Sequence, residues 1–234
     1  MRLTEIPAFA PSGKEGRAYT LEVIGQMLNV LPELAATVTE TAAYTGLRLG
    51  ELRGARWEFY EPPQDEESLG LLYVMNSVWR SHVGAPKTER SKAPVPVISQ
   101  LADRLQAHWI ASGRPAAGPI FANSLGKPLD LDALYRRQMR EVLKKAGVEW
   151  VGWHGFRRGL ASNLNRLGVD DSVIQAILRH SDVSVTQRCY IKTVPPDAVA
   201  AMRQLSARVS ELKKRPEFAE EEGSRHETTR LNVQ

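Results

Sequence analysis

Cysteine is almost missing from this 234-residue chain: Cys189 stands alone. A single thiol excludes an internal disulfide and any zinc cluster built on cysteines. Long apolar runs are missing as well. No stretch approaches the roughly 18 unbroken apolar residues of a membrane helix, and the first residues, MRLTEIPAFAPSGKEG, lack the apolar block of a secretory signal. The patterns G-x-x-x-x-G-K-S/T, H-E-x-x-H and G-x-S-x-G do not occur, which argues against P-loop nucleotide hydrolysis, zinc proteolysis and serine hydrolysis. A metal-dependent transposase needs a carboxylate cluster, and none is evident. No internal repeat is present. These absences lead to the expectation of a soluble cytoplasmic protein with no membrane contact.

What is present begins with ordinary composition: 42% hydrophobic residues suit a folded core. The formal charge is only +4, but it is unevenly spread. From Trp150 to Arg215 there are eleven Lys or Arg against five Asp or Glu. Between Leu134 and Lys145, Arg136, Arg137, Arg140, Lys144 and Lys145 face Glu141 alone. A basic half of this kind suits a binder of phosphate backbones, although a solvated basic helix surface has the same composition.

Residues 1–18 read as a linker or arm, with Pro7, Pro11, Gly13 and Gly16 and no apolar period. Thr20 is placed to cap a helix in which Val23, Met27 and Val30 or Leu31 share a face. Pro32 opens a second helix to about Tyr44, Gly46 ends it, and LRLGELRGARW starts a short third one. Residues 57–69, acidic and containing Pro62-Pro63, read as a loop. LLYVMNSVWR (71–80) and APVPVI (93–98) read as an antiparallel hairpin with a long polar tip, the second an edge strand because Pro94 and Pro96 cannot donate. Helices are expected near 99–112, 130–146, 155–168, 171–179 and 196–214. Phe156, Leu160, Leu164 and Leu167 form an apolar stripe, with Gly168 as C-cap candidate. The tail from Pro216, with four Glu in 217–222, is expected to be disordered. The fold class is therefore mainly α with a small antiparallel sheet, and the folded unit runs over residues 19–215.

Four islands carry chemistry: TGLRLGELRGARW with Arg48 and Glu51, APKTERSKAPVPV with Lys87, WHGFRR with His154 and Arg157, and LRHSDVSVTQRCY with His180 and Tyr190. In this order they resemble the catalytic domain of the tyrosine recombinase (phage integrase) family. That family runs TGLR-x-x-E-L, a hairpin lysine before V-P-V or V-P-L, H-x-x-R, then L-G-H-S and a tyrosine about ten residues on. The resemblance covers roughly residues 20–205, and its specificity lies in the ordered co-occurrence, since H-x-x-R alone is common by chance.

The resemblance implies site-specific DNA recombination or integration through a 3′-phosphotyrosyl intermediate, with no cofactor and no metal. Arg48 and Arg157 would clamp the phosphate, since a planar guanidinium makes two parallel bonds to phosphate oxygens. Glu51 would support Arg48; as a bare pattern, Arg48 and Glu51 are also a surface pair at i,i+3. Tyr190 would be the nucleophile. A phenol is about one part in a thousand ionised at neutral pH, so it needs a base or cations nearby. His154 would accept its proton, and it shares a helix face with Arg157. Lys87 would protonate the leaving 5′-oxygen, with Lys92 as the alternative. His180 would bind phosphate or position Tyr190. Thr88, Arg90, Arg136, Arg137, Arg140, Arg158 and Lys192 are further candidate DNA contacts.

The expected partners are double-stranded DNA and further copies of the chain, dimer to tetramer, joined through the helix at 196–214. The expected setting is the nucleoid of a prokaryote or a phage-derived element. Two features depart from the pattern. Arg179 stands where the family often has Gly, and its side chain could touch phosphate or crowd the turn. The N-terminal core-binding domain usual in the family is absent from these residues. Two alternatives stand beside this reading: a topoisomerase IB-like nickase, which would use the same residues, and a non-catalytic DNA-binding remnant, which the missing domain suggests.

Overall fold

The computed structural model describes residues 17–65, 68–79, 82–84, 94–179 and 194–215. Its first helix, α1 (Leu21–Val30), starts where the sequence supplies a cap: the Thr20 hydroxyl accepts the Val23 N–H. Met27 and Leu31 are buried as the apolar spacing requires, while Val30 faces water. Helix α2 (Glu33–Thr45) follows Pro32 directly and runs through the middle of the molecule, against α1, α4 (Ser99–Ala111) and α7 (His154–Arg166). It is buried almost all round, yet it carries Thr37, Thr39, Thr41 and Thr45. Small side chains let neighbours approach closely. The hydroxyls of Thr37, Thr41 and Thr45 donate to carbonyls one turn back, so three of these buried polar groups are satisfied within the helix.

Gly46 ends α2 in the left-handed conformation, with φ of 60°. A Cβ there would lie 2.7 Å from Leu178 Cδ2 and 3.0 Å from Leu160 Cδ2. The turn therefore sits tight against two later helices, and only glycine fits. Helix α3 (Leu49–Gly54) comes next, and it lies on β3 (Ser77–Trp79).

The β region differs from the expected single hairpin. Residues 57–69 are not all loop: a 3-10 turn, Trp57–Phe59, leads into strand β1 (Tyr60–Glu61). β1 pairs with β2 (Gly70–Leu72), and β2 pairs with β5 (Val95–Val97), all antiparallel, giving the order β1-β2-β5. The expected strand 71–80 is broken at 73–76, and its second half, β3, pairs instead with β4 (His82–Gly84). Gly54 of α3 packs against the Asn76 backbone, where a Cβ would come within 2.5 Å of the carbonyl oxygen. Pro96 lies in edge strand β5 opposite Leu71, as a residue without an N–H should. That edge is covered by α2 and by α9 (Pro196–Lys213).

The helix expected near 130–146 is α5 (Leu131–Leu134), a π-helical turn (Tyr135–Met139) and α6 (Arg140–Lys145). Asp130 caps it by accepting the N–H groups of Asp132 and Ala133. In α7, Phe156, Leu160 and Leu164 are buried and Leu167 is partly buried, with Gly168 just beyond at φ of 80°. Helix α8 (Asp171–Leu178) packs on α7 and α9. α9 lays Ala198, Ala201, Met202, Leu205, Val209 and Leu212 on the body of its own chain, against α1, α4, α8 and β5. Val199 on the same helix is only partly buried. Lys213 lies 3.6 Å from the buried Glu40 carboxylate, which Arg104 also pairs.

Candidate active site

Three turns meet at the site. Gly46 delivers Arg48 from the end of α2, α7 begins at His154, and α8 ends at Arg179. Each is held by hydrogen bonds that cross between elements.

Arg48 is the N-cap of α3, and the Glu51 carboxylate accepts from it twice. The Arg48 N–H donates to Glu51 Oε2 at 2.9 Å, and Arg48 Nη1 donates to Oε1 at 2.9 Å. The i,i+3 pair readable in the sequence is thus present, but it is not a surface pair. Glu51 is 4% exposed, whereas the Arg48 side chain is 38% exposed and reaches water.

Glu51 has a second partner that sequence spacing did not suggest. Arg179 Nη2 donates to Glu51 Oε2 at 2.8 Å, and both side chains are buried. Burial alone would raise the Glu51 pKa. The Arg179 charge, the Arg48 N–H and the Arg48 guanidinium outweigh it and hold the carboxyl below the usual range.

Arg179 follows α8 with φ of 56° and ψ of 45°. A left-handed conformation costs a residue with a Cβ about 1–2 kcal/mol. Neither alternative weighed for this departure describes the result: the side chain turns inward to a carboxylate. The hint in the sequence was a basic residue at a position where the family often has glycine, but Glu51 lies 128 residues from it.

Arg157 is buried on the floor of the site. Nη1 donates to the Gly46 carbonyl at 2.6 Å, and Nη2 donates to the Leu178 carbonyl. One guanidinium thereby ties the Gly46 turn to the end of α8. Burial, then Arg48 and Arg179, push the Arg157 pKa down to about 10 against the opposing pull of Glu51. It remains a cation at neutral pH.

His154, the first residue of α7, is exposed overall, but its ring is partly withdrawn from water. That burial, then Arg158, Arg157 and Arg48, hold its pKa below the ordinary 6.5. The helix N-terminus acts in the same direction. The imidazole is therefore mostly neutral at pH 7, the form that accepts a proton.

Arg48, Glu51, His154 and Arg157 thus come together, joined by Arg179. Arg158 lies on the same helix, but Nε and Nη2 donate to the Arg17 carbonyl at 2.9 and 2.7 Å. Arg136, Arg137 and Arg140 are exposed on the π-helical turn and α6. The Ala133 and Asp132 N–H groups hold the Asp130 carboxyl below its ordinary range, with smaller help from Arg53 of α3 and from Arg136. Arg140 pairs with Glu141 at 3.2 Å. Lys87, Thr88, Arg90, His180, Tyr190 and Lys192 lie outside the described residues, as does the alternative Lys92. Among the described residues, no three His, Cys, Asp or Glu side chains gather as metal ligands would, and no helix is long and apolar enough to cross a membrane.

A helical body with a small antiparallel sheet, gathering arginines around one carboxylate beside a histidine, defines a cationic site suited to an anionic group such as a phosphodiester. The sequence matches the phage integrase family over residues 20–195, and the chain belongs to that family. It is similar to the tyrosine recombinase XerC-like protein of Caldanaerobacter subterraneus subsp. tengcongensis, 25% identical over 182 residues, covering 69% of this chain and 46% of that protein. It is also similar to tyrosine recombinase XerC of Mycobacterium sp. (strain KMS), 33% identical over 161 residues, covering 64% and 46%. The chain thus spans a little under half the length of these relatives. Among solved structures, the Tn1549 transposon integrase in complex with transposon right end DNA shares the fold, with a TM-score of 0.58 at 17% identity over 85% of this chain and 69% of that one.

Proposed function

We propose that this chain is the catalytic part of a tyrosine recombinase that cleaves and rejoins double-stranded DNA at specific sites. The observation that carries the reading is the charge arrangement. Among the described residues, Arg48, Arg157 and Arg179 lie around one carboxylate, Glu51, and the Arg48 side chain opens to water. Phosphoryl transfer builds negative charge on non-bridging oxygens, and preorganised cations stabilise it without reorganising.

In this reading Tyr190 Oη attacks a DNA phosphorus. The Oη–P bond forms, the P–O5′ bond breaks, and a 3′-phosphotyrosyl link results. His154 takes the phenol proton. Lys87 gives a proton to the leaving 5′-oxygen, while Arg48, Arg157 and His180 hold the phosphate. A second strand's 5′-hydroxyl reverses the step, and the ester conserves the bond energy, so no ATP is consumed. The exposed Arg136, Arg137 and Arg140 supply backbone contacts outside the reacting phosphate, as Thr88, Arg90, Arg158 and Lys192 do from other segments.

Support for a DNA substrate comes from the Tn1549 integrase, whose structure is a complex with transposon DNA. A dimer or tetramer on DNA, with α9 docked on a neighbouring copy, fits the same reading. The groove that α9 fills within its own chain would then receive the neighbour's helix. A place on the nucleoid in the cytoplasm follows from the substrate.

The test is incubation with a nicked suicide duplex in EDTA. We expect a protein–DNA adduct stable to detergent, formed by the unchanged protein and not by Tyr190→Phe. An adduct that persists in Tyr190→Phe, or cleavage that appears only with added magnesium, would contradict the proposal.

A further inference from the structure

We propose that Arg179 is a positioning residue, which aims the Arg48 guanidinium by locking the Glu51 carboxylate between two cations. This deepens the phosphoryl-transfer reading above and rests on it.

The argument begins with the backbone. Arg179 and Arg114 are the non-glycine residues with positive φ among the described residues. At Arg179 the left-handed conformation would suit glycine or asparagine better, so local backbone preference does not explain an arginine. The side chain offers an explanation. It is 2% exposed, and it runs inward to the equally buried Glu51. An arginine is seldom buried without a partner, and here the partner is a carboxylate that already serves Arg48.

The distribution of bonds over the two carboxylate oxygens is what couples the arginines. Oε1 accepts Arg48 Nη1. Oε2 accepts the Arg48 N–H and Arg179 Nη2. Rotating the carboxylate to release Arg48 would therefore also break the Arg179 pair. The Arg179 carbonyl lies 3.5 Å from Arg48 Nη2, so the same residue approaches both faces of the arrangement. Arg179 itself does not face solvent, whereas Arg48 does. The inner cation fixes a carboxylate, and the carboxylate fixes the outer cation that can meet a phosphate.

The test compares Arg179→Gly, Arg179→Lys and the unchanged protein, as the full chain, in two measurements. Gly relieves the backbone strain while removing the cation; Lys keeps the cation. The first measurement needs no activity. Nitrogen NMR of the arginine side chains reads how fast the two Nη groups of Arg48 interchange, with the signal assigned by its loss in Arg48→Lys. We expect at least about tenfold faster interchange in Arg179→Gly and partial restoration in Arg179→Lys, the size of effect known for coupled neighbours. Unchanged Arg48 dynamics in Arg179→Gly overturn the proposal.

The second measurement is the single-turnover rate of adduct formation on the nicked duplex. We expect it to fall about tenfold or more in Arg179→Gly, with duplex affinity changed less than about twofold. In a Glu51→Gln background the same change should cost less than about twofold, because the carboxylate through which Arg179 acts is gone. Full additivity, or an equal loss in affinity, overturns the proposal. If the unchanged protein forms no adduct, the phosphoryl-transfer reading fails, and the NMR comparison still decides whether Arg179 positions Arg48.

Discussion

Replacing Gly46 by alanine tests how the site is assembled, because its cost can be worked out and matched to a control. Gly46 and Gly168 both have positive φ, 60° and 80°. Alanine at either position incurs the left-handed penalty, about 1–2 kcal/mol. The surroundings differ. A Cβ on Gly46 would come within 2.7 Å of Leu178 Cδ2 and 3.0 Å of Leu160 Cδ2, while Gly168 has nothing within 4 Å. Overpacking of a tight core adds about 1–3 kcal/mol. Gly46→Ala should therefore cost about 2–5 kcal/mol in all, and Gly168→Ala only the first part. At about 2–4 °C per kcal/mol for a domain of this size, Tm should drop by roughly 4–20 °C in the first variant. Urea unfolding followed by circular dichroism reads both. Gly46 also accepts the Arg157 Nη1 bond at 2.6 Å, so adduct formation should fall in Gly46→Ala beyond what the unfolded fraction explains. Equal losses in the two variants, or a Gly46→Ala protein with unchanged stability, would refute the packing argument.

Three further outcomes are expected. Arg157→Met leaves the Gly46 and Leu178 carbonyls without their donor. At about 1–3 kcal/mol for each buried polar group left unpaired, the urea midpoint should fall clearly, and Arg157→Lys should recover little because an ammonium cannot fork to both. Glu51 has a lowered pKa, so its stabilisation is present above the ordinary carboxylate pKa and is lost as pH falls through the lowered one. Glu51→Gln should therefore cost about 3–5 kcal/mol at neutral pH, and the gap to the unchanged protein should narrow in acid; a gap independent of pH would contradict this. His154 should titrate below 6.5 by NMR, and Arg158→Ala, which removes the second cause of that shift, should move the midpoint upward; a midpoint above 6.5 in the unchanged protein would contradict the site's electrostatics.

Local chemistry was legible wherever a short segment decides its own structure. Thr20 caps α1, Pro32 precedes α2, and Phe156, Leu160 and Leu164 turn inward, because caps, rings and apolar spacing act within a few residues. The pairing of Arg48 with Glu51 was legible for the same reason. Strand β1 and the break between β2 and β3 were not. Tyr60 becomes a strand residue by pairing with Leu72, and the Asn76 backbone lies against Gly54, contacts that no short segment announces. The Arg179–Glu51 pair was hidden for a related reason. The two residues belong to helices far apart in the chain, and only the closing of α8 onto the Gly46 turn brings them together. The π-helical turn at Tyr135–Met139 has no local signature either. Within it Tyr135 stacks on Trp150, with centroids 4.4 Å apart, a tertiary contact that spacing does not announce.

The claim that this cationic site exists for phosphoryl transfer to a tyrosine is tested most directly by locating the covalent bond. The adduct formed on a nicked duplex is digested with protease and nuclease, and the modified peptide is sequenced by mass spectrometry. The account predicts one 3′-linked nucleotide on the Tyr190 phenol oxygen and a free 5′-hydroxyl on the released strand. Attachment to any other residue, or a link to a DNA 5′-phosphate with a free 3′-hydroxyl on the released strand, would contradict it.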